Sequence, residues 1–287
     1  MDYNINFPNL HIYLDGIGKS ISIGDFSIAF YGIIIAIGMM LAILLAITIA
    51  KRTGQDADAY YDYAIIAIVS AIIGARLYYV AFQWEYYSKD LLKIFNLREG
   101  GLAVYGGIIA AIICICSYVK IKGKKIGPIA DAAGPAVALG QCIGRWGNFF
   151  NREAFGGYSD GLFAMQLPVS AVRDSEITAE IRAHIVEVEG ISYIQVHPTF
   201  LYESLWNLGV VVFLLCYFKH RKFDGEIFLL YLAAYGLGRA WIEGLRTDQL
   251  WIHGTQIPVS QVLAVVMVLV AIGWIVVVRK KKSTKVE

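Results

Sequence analysis

The sequence is short of charged residues and of cysteine. Only 17% of its 287 residues are Asp, Glu, Lys or Arg, against about 25% in a typical soluble domain. Its four cysteines lie within apolar runs and lack the spacing of metal ligands: Cys114, Cys116, Cys142 and Cys216. We therefore expect neither a metal site nor a disulfide framework, and we interpret the cysteines as packing residues. Because no basic stretch precedes the first apolar run, no cleavable signal peptide is predicted.

Long apolar segments are abundant, and 57% of the residues are hydrophobic. A helix needs about 20 apolar residues to cross a bilayer. Seven segments satisfy this requirement: 26–50, 63–82, 102–119, 126–150, 199–218, 225–245 and 259–278. The sequence therefore predicts an all-α membrane protein with seven transmembrane helices, organised as a single polytopic domain over residues 1–287.

One long insertion, residues 151–198, is too polar to span a bilayer. Within it, residues 163–171 alternate as a strand does, and 176–189 have the pattern of a polar helix or strand. More than half of the 25 Lys and Arg residues fall in loops on the opposite side, which the positive-inside rule makes cytoplasmic. We therefore expect a small extracytoplasmic cap at 151–198, an outside N-terminus and a cytoplasmic C-terminus.

Five polar side chains from five different predicted helices share one depth in the membrane. At about 1.5 Å per helical residue they lie roughly 5–10 Å below the outer surface. They are Tyr31, Arg76, Tyr105, Arg145 and Arg239. Because a charge at the centre of a bilayer costs about 2.5–3.5 kcal/mol on insertion scales, this shared depth predicts a common site.

The sixth predicted span carries a polar stripe. Tyr235, Arg239 and Glu243 are spaced i, i+4, i+8, and Arg246 follows three residues later, so these side chains share one helix face. One interpretation is that Glu243 only neutralises Arg239 within its own helix. The other is an anion site, because a guanidinium matches a phosphate bidentately and phospholipid head groups lie at this depth.

A second polar cluster ends the fourth predicted span, in the segment GRWGNFFNREAFG (144–156). Arg145 could pair structurally with Glu153, but such a pair would not need the amides of Asn148 and Asn151. We favour a head-group site that contains two arginines and these amides.

Two further motifs leave alternatives open. In HPTFLYES (197–204), His197 is either a capping or interface histidine or part of the outer polar site. The glycine pairs of GGLAVYGG (100–107) either allow close helix packing or let the backbone approach a ligand.

The segment GRWGNFFNREAFG closely resembles the signature of the prolipoprotein diacylglyceryl transferases, bacterial inner-membrane enzymes with seven spans. The resemblance extends to FYG (30–32), GAR (74–76), GGLAVYGG (100–107), HPTFLYE (197–203) and YGLGRAWIEGLR (235–246). It implies transfer of the diacylglyceryl group of phosphatidylglycerol to the lipobox cysteine of a prolipoprotein signal peptide. A thioether forms and glycerol phosphate is released, with no cofactor.

Depth, spacing and the resemblance together give the expected site residues. The positions that match the family are Tyr31, Arg145, Asn148, Glu153, Gly156, Tyr235, Arg239 and Glu243. The expected catalytic residues are Arg145, Arg239, Glu243, Tyr105 and Glu153. The expected substrate-binding residues are Tyr31, Arg76, Asn148, Asn151, Gly156, Tyr235, His197 and Arg246. One departure concerns the base: the family commonly has His in the GG-x-x-x-His-GG position, where this chain has Tyr105. A phenol with a pKa near 10 is a poor base at pH 7, so Glu243, Glu153, His197 and water remain alternatives.

A rival interpretation is a transporter or flippase that binds the same head group without chemistry. Such a protein would carry charges through the full bilayer thickness, whereas the inner halves of several predicted spans are almost wholly apolar. A structural membrane subunit would not need five polar groups at one depth. The expected partners are therefore phosphatidylglycerol, a prolipoprotein signal peptide and membrane lipid, and the net charge of +2 gives no indication of nucleic acid.

Overall fold

A computed structural model of the protein describes residues 4–97, 100–255 and 257–284, which form helices and short strands. The helices are α1 (Phe30–Arg52), α2 (Ala59–Phe82), α3 (Trp84–Tyr87), α4 (Val104–Ile121), α5 (Ile126–Asn151), α6 (Ala179–Ala183), α7 (Thr199–Tyr217), α8 (Glu226–Glu243) and α9 (Val259–Ser283). The strands are β1 (Ile5–Phe7), β2 (Ile12–Leu14), β3 (Ser20–Ile23), β4 (Phe26–Ala29), β5 (Met165–Pro168), β6 (Val186–Val188) and β7 (Ile191–Val196).

Six of the described helices are long and apolar enough to cross a membrane: α1, α2, α4, α5, α7 and α9. The seventh predicted span forms α8, an 18-residue helix that contains Glu226, Arg239 and Glu243. These three charged side chains make α8 too polar to qualify by composition. The chain is thus a mostly helical protein with the features of a multi-pass membrane protein.

By their internal contacts the helices and strands divide into two compact units, one of residues 1–42 and 133–287 and one of residues 43–132. The first unit contains a five-stranded antiparallel sheet in the order β2-β1-β5-β7-β6. Under this sheet lies an apolar core to which the N-terminal strands, the 151–198 insertion and the ends of α5 and α7 all contribute. Its most buried members include Ile5, Phe155, Leu167, Ile181, Ile194 and Val196.

The all-α prediction is therefore wrong in detail. The predicted strand within 163–171 is confirmed as β5, and 176–189 contains both a short helix, α6, and a strand, β6. The strands β1 and β2 have three residues each, too few for a periodic pattern to be recognised. Residues 26–29, predicted as the start of the first span, instead form β4, and α1 begins only at Phe30.

Small residues bring the helices of the first unit together around α8. A Cβ atom on Gly238 would lie 2.2 Å from Nε1 of Trp206 in α7. A Cβ atom on Gly236 would lie 2.7 Å from a side-chain methyl of Val268 in α9. These close approaches hold α7, α8 and α9 side by side and so fix the polar face of α8.

In the second unit, α2 and α4 pack through Gly74 and Gly106. A Cβ atom on Gly74 would lie 2.6 Å from the Gly106 carbonyl oxygen, and one on Gly106 would lie 2.5 Å from the Gly74 carbonyl oxygen. For Gly106, one of the glycines of GGLAVYGG, the interpretation as a helix-packing residue is therefore confirmed. Small residues of this kind are common at helix contacts within membranes.

Candidate active site

The carboxylate of Glu203, in the first part of α7, is bound by three arginines. Nη2 of Arg145 lies 2.6 Å from Oε2, and Nη1 of Arg239 lies 3.1 Å from Oε1. Nη1 of Arg246 lies 3.4 Å from the same Oε1 atom. Glu203 is only 3% exposed, so α5, α7, α8 and the segment after α8 direct four charged side chains into one buried cluster.

Glu243 extends this cluster along α8. Its Oε2 atom lies 2.7 Å from Nη2 of Arg239, one helical turn earlier, without the geometry of a hydrogen bond. Its Oε1 atom accepts a hydrogen bond from the Ser260 hydroxyl of α9. The expected pairing of Glu243 with Arg239 is therefore present, but Arg239 also contacts Glu203, so its charge is shared between two helices.

Arg246 joins the cluster to the segment that follows α8. Its Nε and Nη2 atoms donate to the two carboxylate oxygens of Asp248 at 2.8 and 2.7 Å, a bidentate pair. Burial by itself would raise the pKa of Asp248, but the hydrogen bond and charge of Arg246 outweigh burial and lower that pKa below its usual range. Arg246 is thus held between Asp248 and Glu203.

Arg145 and Arg239 are the least enclosed members of the cluster. Their side chains are 21% and 18% exposed, against 4% for the side chain of Glu203. Among the described residues, the only ion pair of Arg145 is formed by Nη2, which leaves its other N–H groups able to donate to a ligand. The pair can therefore bind an anion while Glu203 keeps the two guanidinium groups close together.

Glu153 is held by the end of α5, which supplies both amides predicted from the signature. The side chains of Asn148 and Asn151 donate to Oε1 of Glu153 at 3.1 and 3.2 Å. Oε2 lies 3.7 Å from Nη2 of Arg173, a residue of the insertion. The alternative pairing of Arg145 with Glu153 is wrong, because Arg145 pairs with Glu203.

The backbone on both sides of Glu153 has an uncommon conformation. Arg152 and Ala154 have φ angles of +55° and +58°. These lie in the left-handed region, which residues other than glycine rarely adopt. Such residues cost of order 1–3 kcal/mol each and persist where the surrounding structure fixes them. Here the buried Arg152 donates to the carbonyls of Phe150 and Ile17, and the Thr199 hydroxyl donates to the Ala154 carbonyl. The turn that presents Glu153 is thus fixed from both ends.

Gly156 lies where three chain segments meet. Its N–H donates to the His197 carbonyl at 2.9 Å, and it forms a bridge with Arg246. A Cβ atom on Gly156 would lie 2.8 Å from both the His197 Cβ and the Leu245 carbonyl oxygen. Only glycine therefore fits between the start of α7 and the end of α8, which explains this position of the signature by close approach.

His197 contacts Tyr202, whose hydroxyl lies 3.3 Å from its Nδ1 atom. Burial lowers the pKa of the His197 imidazole below its usual range, because it disfavours the charged form. This contact fits the interface alternative, and the membership of His197 in the outer polar site stays a prediction.

Tyr31 and Tyr235 belong to the same unit as the arginine cluster. Tyr31 packs on the end of α5, where a Cβ atom on Gly147 would lie 2.7 Å from its ring. Tyr235 precedes Arg239 by one turn and stacks on Tyr231, with the ring centroids 5.8 Å apart. Among the described residues neither hydroxyl has a hydrogen-bond partner, so both are available to a ligand.

Arg76 and Tyr105 belong to the other unit. The buried Arg76 guanidinium donates five hydrogen bonds to backbone carbonyls, those of Lys93, Ile94, Asn96, Gly100 and Gly101. All five of its N–H groups are thus engaged by the protein, and lipid binding by Arg76 stays a prediction. Tyr105 is the second residue of α4 and is 47% exposed, and its catalytic role also stays a prediction.

Sequence reasoning missed the central position of Glu203. The available signal was that Glu203 is the only acidic residue in α7, and a lone carboxylate in an apolar helix requires partners. The contributions of Arg173 and Ser260 had no comparable signal, because polar residues in loops and at helix starts are common. Among the described residues, no group of three or more His, Cys, Asp or Glu is arranged to hold a metal ion.

Comparison with known proteins gives a consistent result along most of the chain. A family model described as prolipoprotein diacylglyceryl transferase matches residues 19–277. A phosphatidylglycerol–prolipoprotein diacylglyceryl transferase of Clostridium botulinum (strain Langeland / NCTC 10281 / Type F) is 41% identical over 261 residues, which cover 91% of this chain and 96% of that protein. A protein of the same name from Bacillus cereus (strain B4264) is 41% identical over 263 residues, which cover 91% of this chain and 92% of that protein. The chain therefore belongs to the prolipoprotein diacylglyceryl transferase family.

Proposed function

We propose that this protein transfers the diacylglyceryl group of phosphatidylglycerol to the thiol of a lipobox cysteine in a prolipoprotein signal peptide. The cysteine sulfur attacks the glycerol carbon that bears the phosphate ester, the carbon–oxygen bond breaks, and glycerol phosphate leaves with the bonding electrons. The new bond is a thioether, and the reaction is the first step of bacterial lipoprotein maturation. No cofactor takes part in this scheme.

The observation that carries this proposal is the pair of guanidinium groups of Arg145 and Arg239, which share the Glu203 carboxylate. Charge develops on the phosphate oxygen as the carbon–oxygen bond breaks, and guanidinium donors at that oxygen stabilise the transition state. The free hydroxyls of Tyr31 and Tyr235 are suited to hold the head group. Asn148, Asn151 and Gly156 shape the turn that presents Glu153 to the same substrate.

The thiol proton requires an acceptor, because an ordinary cysteine with a pKa near 8.5 is only a few per cent thiolate at pH 7. Glu243 has one carboxylate oxygen without a hydrogen bond, and Glu153 has one oxygen that contacts only the distant Arg173. His197 and Tyr105 are the other two candidate acceptors of the thiol proton. We favour a carboxylate as the acceptor and an orienting role for Tyr105.

We also propose that α8 is a seventh membrane crossing within a single polytopic domain. At about 1.5 Å per residue its 18 residues span about 27 Å, close to the roughly 30 Å hydrocarbon core. Each of its charges is paired within the protein, Glu226 with Arg279 and Arg239 with Glu243 and Glu203. Pairing removes much of the cost that charged residues have in a membrane.

Seven crossings and the positive-inside rule give an outside N-terminus and a cytoplasmic C-terminus in the bacterial inner membrane. The sheet and the 151–198 insertion then form an extracytoplasmic cap, and the arginine cluster lies toward the outer leaflet. Both substrates are membrane-bound, so they reach the site sideways from the lipid. A cysteine-labelling map in which a cysteine placed at the exposed Asp160 reacts only from the cytoplasm would contradict this topology.

The transferase proposal is tested by mass spectrometry of a lipobox peptide incubated with the purified protein and phosphatidylglycerol. We expect the peptide to gain one diacylglyceryl group, with glycerol phosphate released in equal amount. A peptide with serine in place of the lipobox cysteine is the control and should gain nothing. Movement of phosphatidylglycerol between leaflets without any peptide adduct would instead identify a flippase.

A further inference from the structure

The hairpin of β3 and β4 has one apolar face and one polar face. The register pairs Ile21 with Ile28 and Ile23 with Phe26, so these four side chains share one face of the two-stranded sheet. The opposite face carries Ser20, Ser22, Ser27 and Ala29. The two strands are joined by the two-residue turn Gly24–Asp25, with Gly24 at φ +60°.

Most of the apolar face is uncovered by the described protein, and only Ile28, near the base of the hairpin, is partly buried. Ile21, Ile23 and Phe26 are 46%, 66% and 69% exposed, so the two residues nearest the turn are the most exposed. An isolated two-stranded hairpin is marginally stable in water, and this one pairs with no other strand in the described part of the chain. Its apolar face therefore requires a partner.

The chain continues from β4 directly into a candidate membrane span. Ala29 ends β4 and Phe30 begins α1, the 23-residue helix with the highest hydropathy among the candidate spans. The Phe30 N–H donates to the Lys19 carbonyl at 3.0 Å, which closes the base of the hairpin at the first residue of the helix. The base of the hairpin therefore lies where this candidate span begins.

We propose that the hairpin inserts its Ile21, Ile23, Phe26 and Ile28 face into the bilayer as an interfacial anchor and turns its serine face to water. Charge distribution favours lipid as the occupant. The apolar face has no charged residue, and the flanking charges, Lys19 and Asp25, lie at the base and the turn of the hairpin. An apolar face turned to lipid and a polar face turned to water would let the hairpin lie in the interface rather than cross it.

The anchor is joined to the candidate active site through its base. The buried Arg152, next to Glu153, donates to the carbonyl of Ile17, just before β3. Phe30 packs on Phe150 of α5 with ring centroids 4.9 Å apart. The depth of the hairpin in the lipid therefore sets the depth of the turn that carries Glu153. This inference rests on the geometry of the hairpin and holds whether or not the protein is a transferase.

Fluorescent labels on the two faces test the proposal. Single cysteines at Ile23 and Phe26 report the apolar face, and those at Ser22 and Ser27 are matched controls on the same strands. In every variant the four native cysteines are replaced by alanine. Each protein is labelled with an environment-sensitive dye and placed in phosphatidylglycerol vesicles whose lipid chains carry a nitroxide quencher. We expect severalfold stronger lipid quenching at 23 and 26 than at 22 and 27, with the reverse order for aqueous iodide.

Equal quenching of the two faces would overturn the proposal. Labels at 23 and 26 that are shielded from iodide but not quenched by lipid would also overturn it, because a protein partner would then cover the face. A second measurement avoids cysteine substitution altogether. Ile23→Asp should increase hydrogen exchange of residues 20–29 in lipid nanodiscs severalfold, and Ser22→Asp should not. Similar exchange in both variants would count against lipid burial of the apolar face.

Discussion

Arg145 and Glu203 form a 2.6 Å ion pair between α5 and α7, and the same carboxylate also contacts Arg239 and Arg246. Among the described residues Glu203 is the only ion-pair partner of Arg145, and it links that arginine to Arg239 and Arg246, which also pair with Glu243 and Asp248. Removing one partner of a buried ion pair is strongly destabilising, because it leaves the other charges uncompensated.

Glu203→Gln should therefore lower the free energy of unfolding by about 3–5 kcal/mol and abolish most diacylglyceryl transfer. The arginines, no longer held together, would lose the geometry needed to bind one phosphate. Thermal unfolding in detergent and the peptide transfer assay measure the two effects. Glu180→Gln, at an exposed residue of the insertion, is the control and should change neither. Normal stability and turnover in Glu203→Gln would show that the cluster does not depend on this carboxylate.

Lysine should not replace Arg145 or Arg239, because it offers a point charge without the planar pair of donors. Loss of one hydrogen bond to a charged group costs about 1.5–3 kcal/mol, so each variant should transfer about ten- to a hundredfold more slowly while still inserting in the membrane. Arg182→Lys, in an exposed ion pair of the insertion, is the matched control. Wild-type turnover in both site variants would leave the arginines with a purely structural role.

Gly156→Ala should destabilise the junction between the start of α7 and the end of α8. The added Cβ would lie 2.8 Å from His197 and from the Leu245 carbonyl, and overpacking of this kind costs about 1–3 kcal/mol. The adjacent Gly157 is a close control, because a Cβ atom there has no neighbour within 4 Å. We expect Gly156→Ala to unfold at lower temperature and transfer slowly, and Gly157→Ala to resemble wild type. Equal effects of the two substitutions would argue against the close-approach explanation.

Glu176 provides a prediction on pH. Burial raises the pKa of its carboxyl group although Arg173 lies nearby, and its Oε2 atom has no hydrogen-bond partner among the described residues. A raised folded-state pKa means that the group stabilises the fold below its unfolded pKa and that this contribution is lost as pH rises through the folded pKa. Glu176→Gln should therefore raise the unfolding temperature at pH 7, and the gain should shrink as the pH falls to about 4.

The control for this pH series is Glu187→Gln, on the exposed strand β6. It should leave the unfolding temperature nearly unchanged at both pH values. A stabilisation by Glu176→Gln that stayed constant between pH 7 and pH 4 would exclude charge burial as its cause.

Tyr105 is the position at which this chain departs from the common family pattern. If Tyr105 only orients the head group, Tyr105→Phe should slow transfer by about ten- to a hundredfold, the worth of one hydrogen bond to a charged group. Tyr105→His should retain transfer and shift the pH optimum downward, because an imidazole titrates near pH 6.5. Transfer rates of the wild type and both variants are measured against pH. A Tyr105→Phe enzyme that is inactive at pH 7 but recovers at pH 9 would identify Tyr105 as the base.

The sequence predicted the helices better than the sheet for a physical reason. An apolar run such as α1 is specified by its own residues, whereas β1 pairs with β5 across the 157 residues that separate Phe7 from Met165. The stripe of Arg239 and Glu243 followed from helical spacing alone. The role of Glu203 depends on how α5, α7 and α8 pack, and the periodicity of any one helix does not contain that information.

The five carbonyls around Arg76 have a consequence for the order in which the nascent chain enters the membrane. Arg76 lies in α2, and all of its acceptors follow it in the sequence, at 93–96 and 100–101. Arg76 is therefore synthesised before its partners, and its charge is stabilised by backbone carbonyls that follow within 25 residues, without a carboxylate from a later helix. The pair of α2 and α4 can thus complete its insertion while the last third of the chain is still on the ribosome.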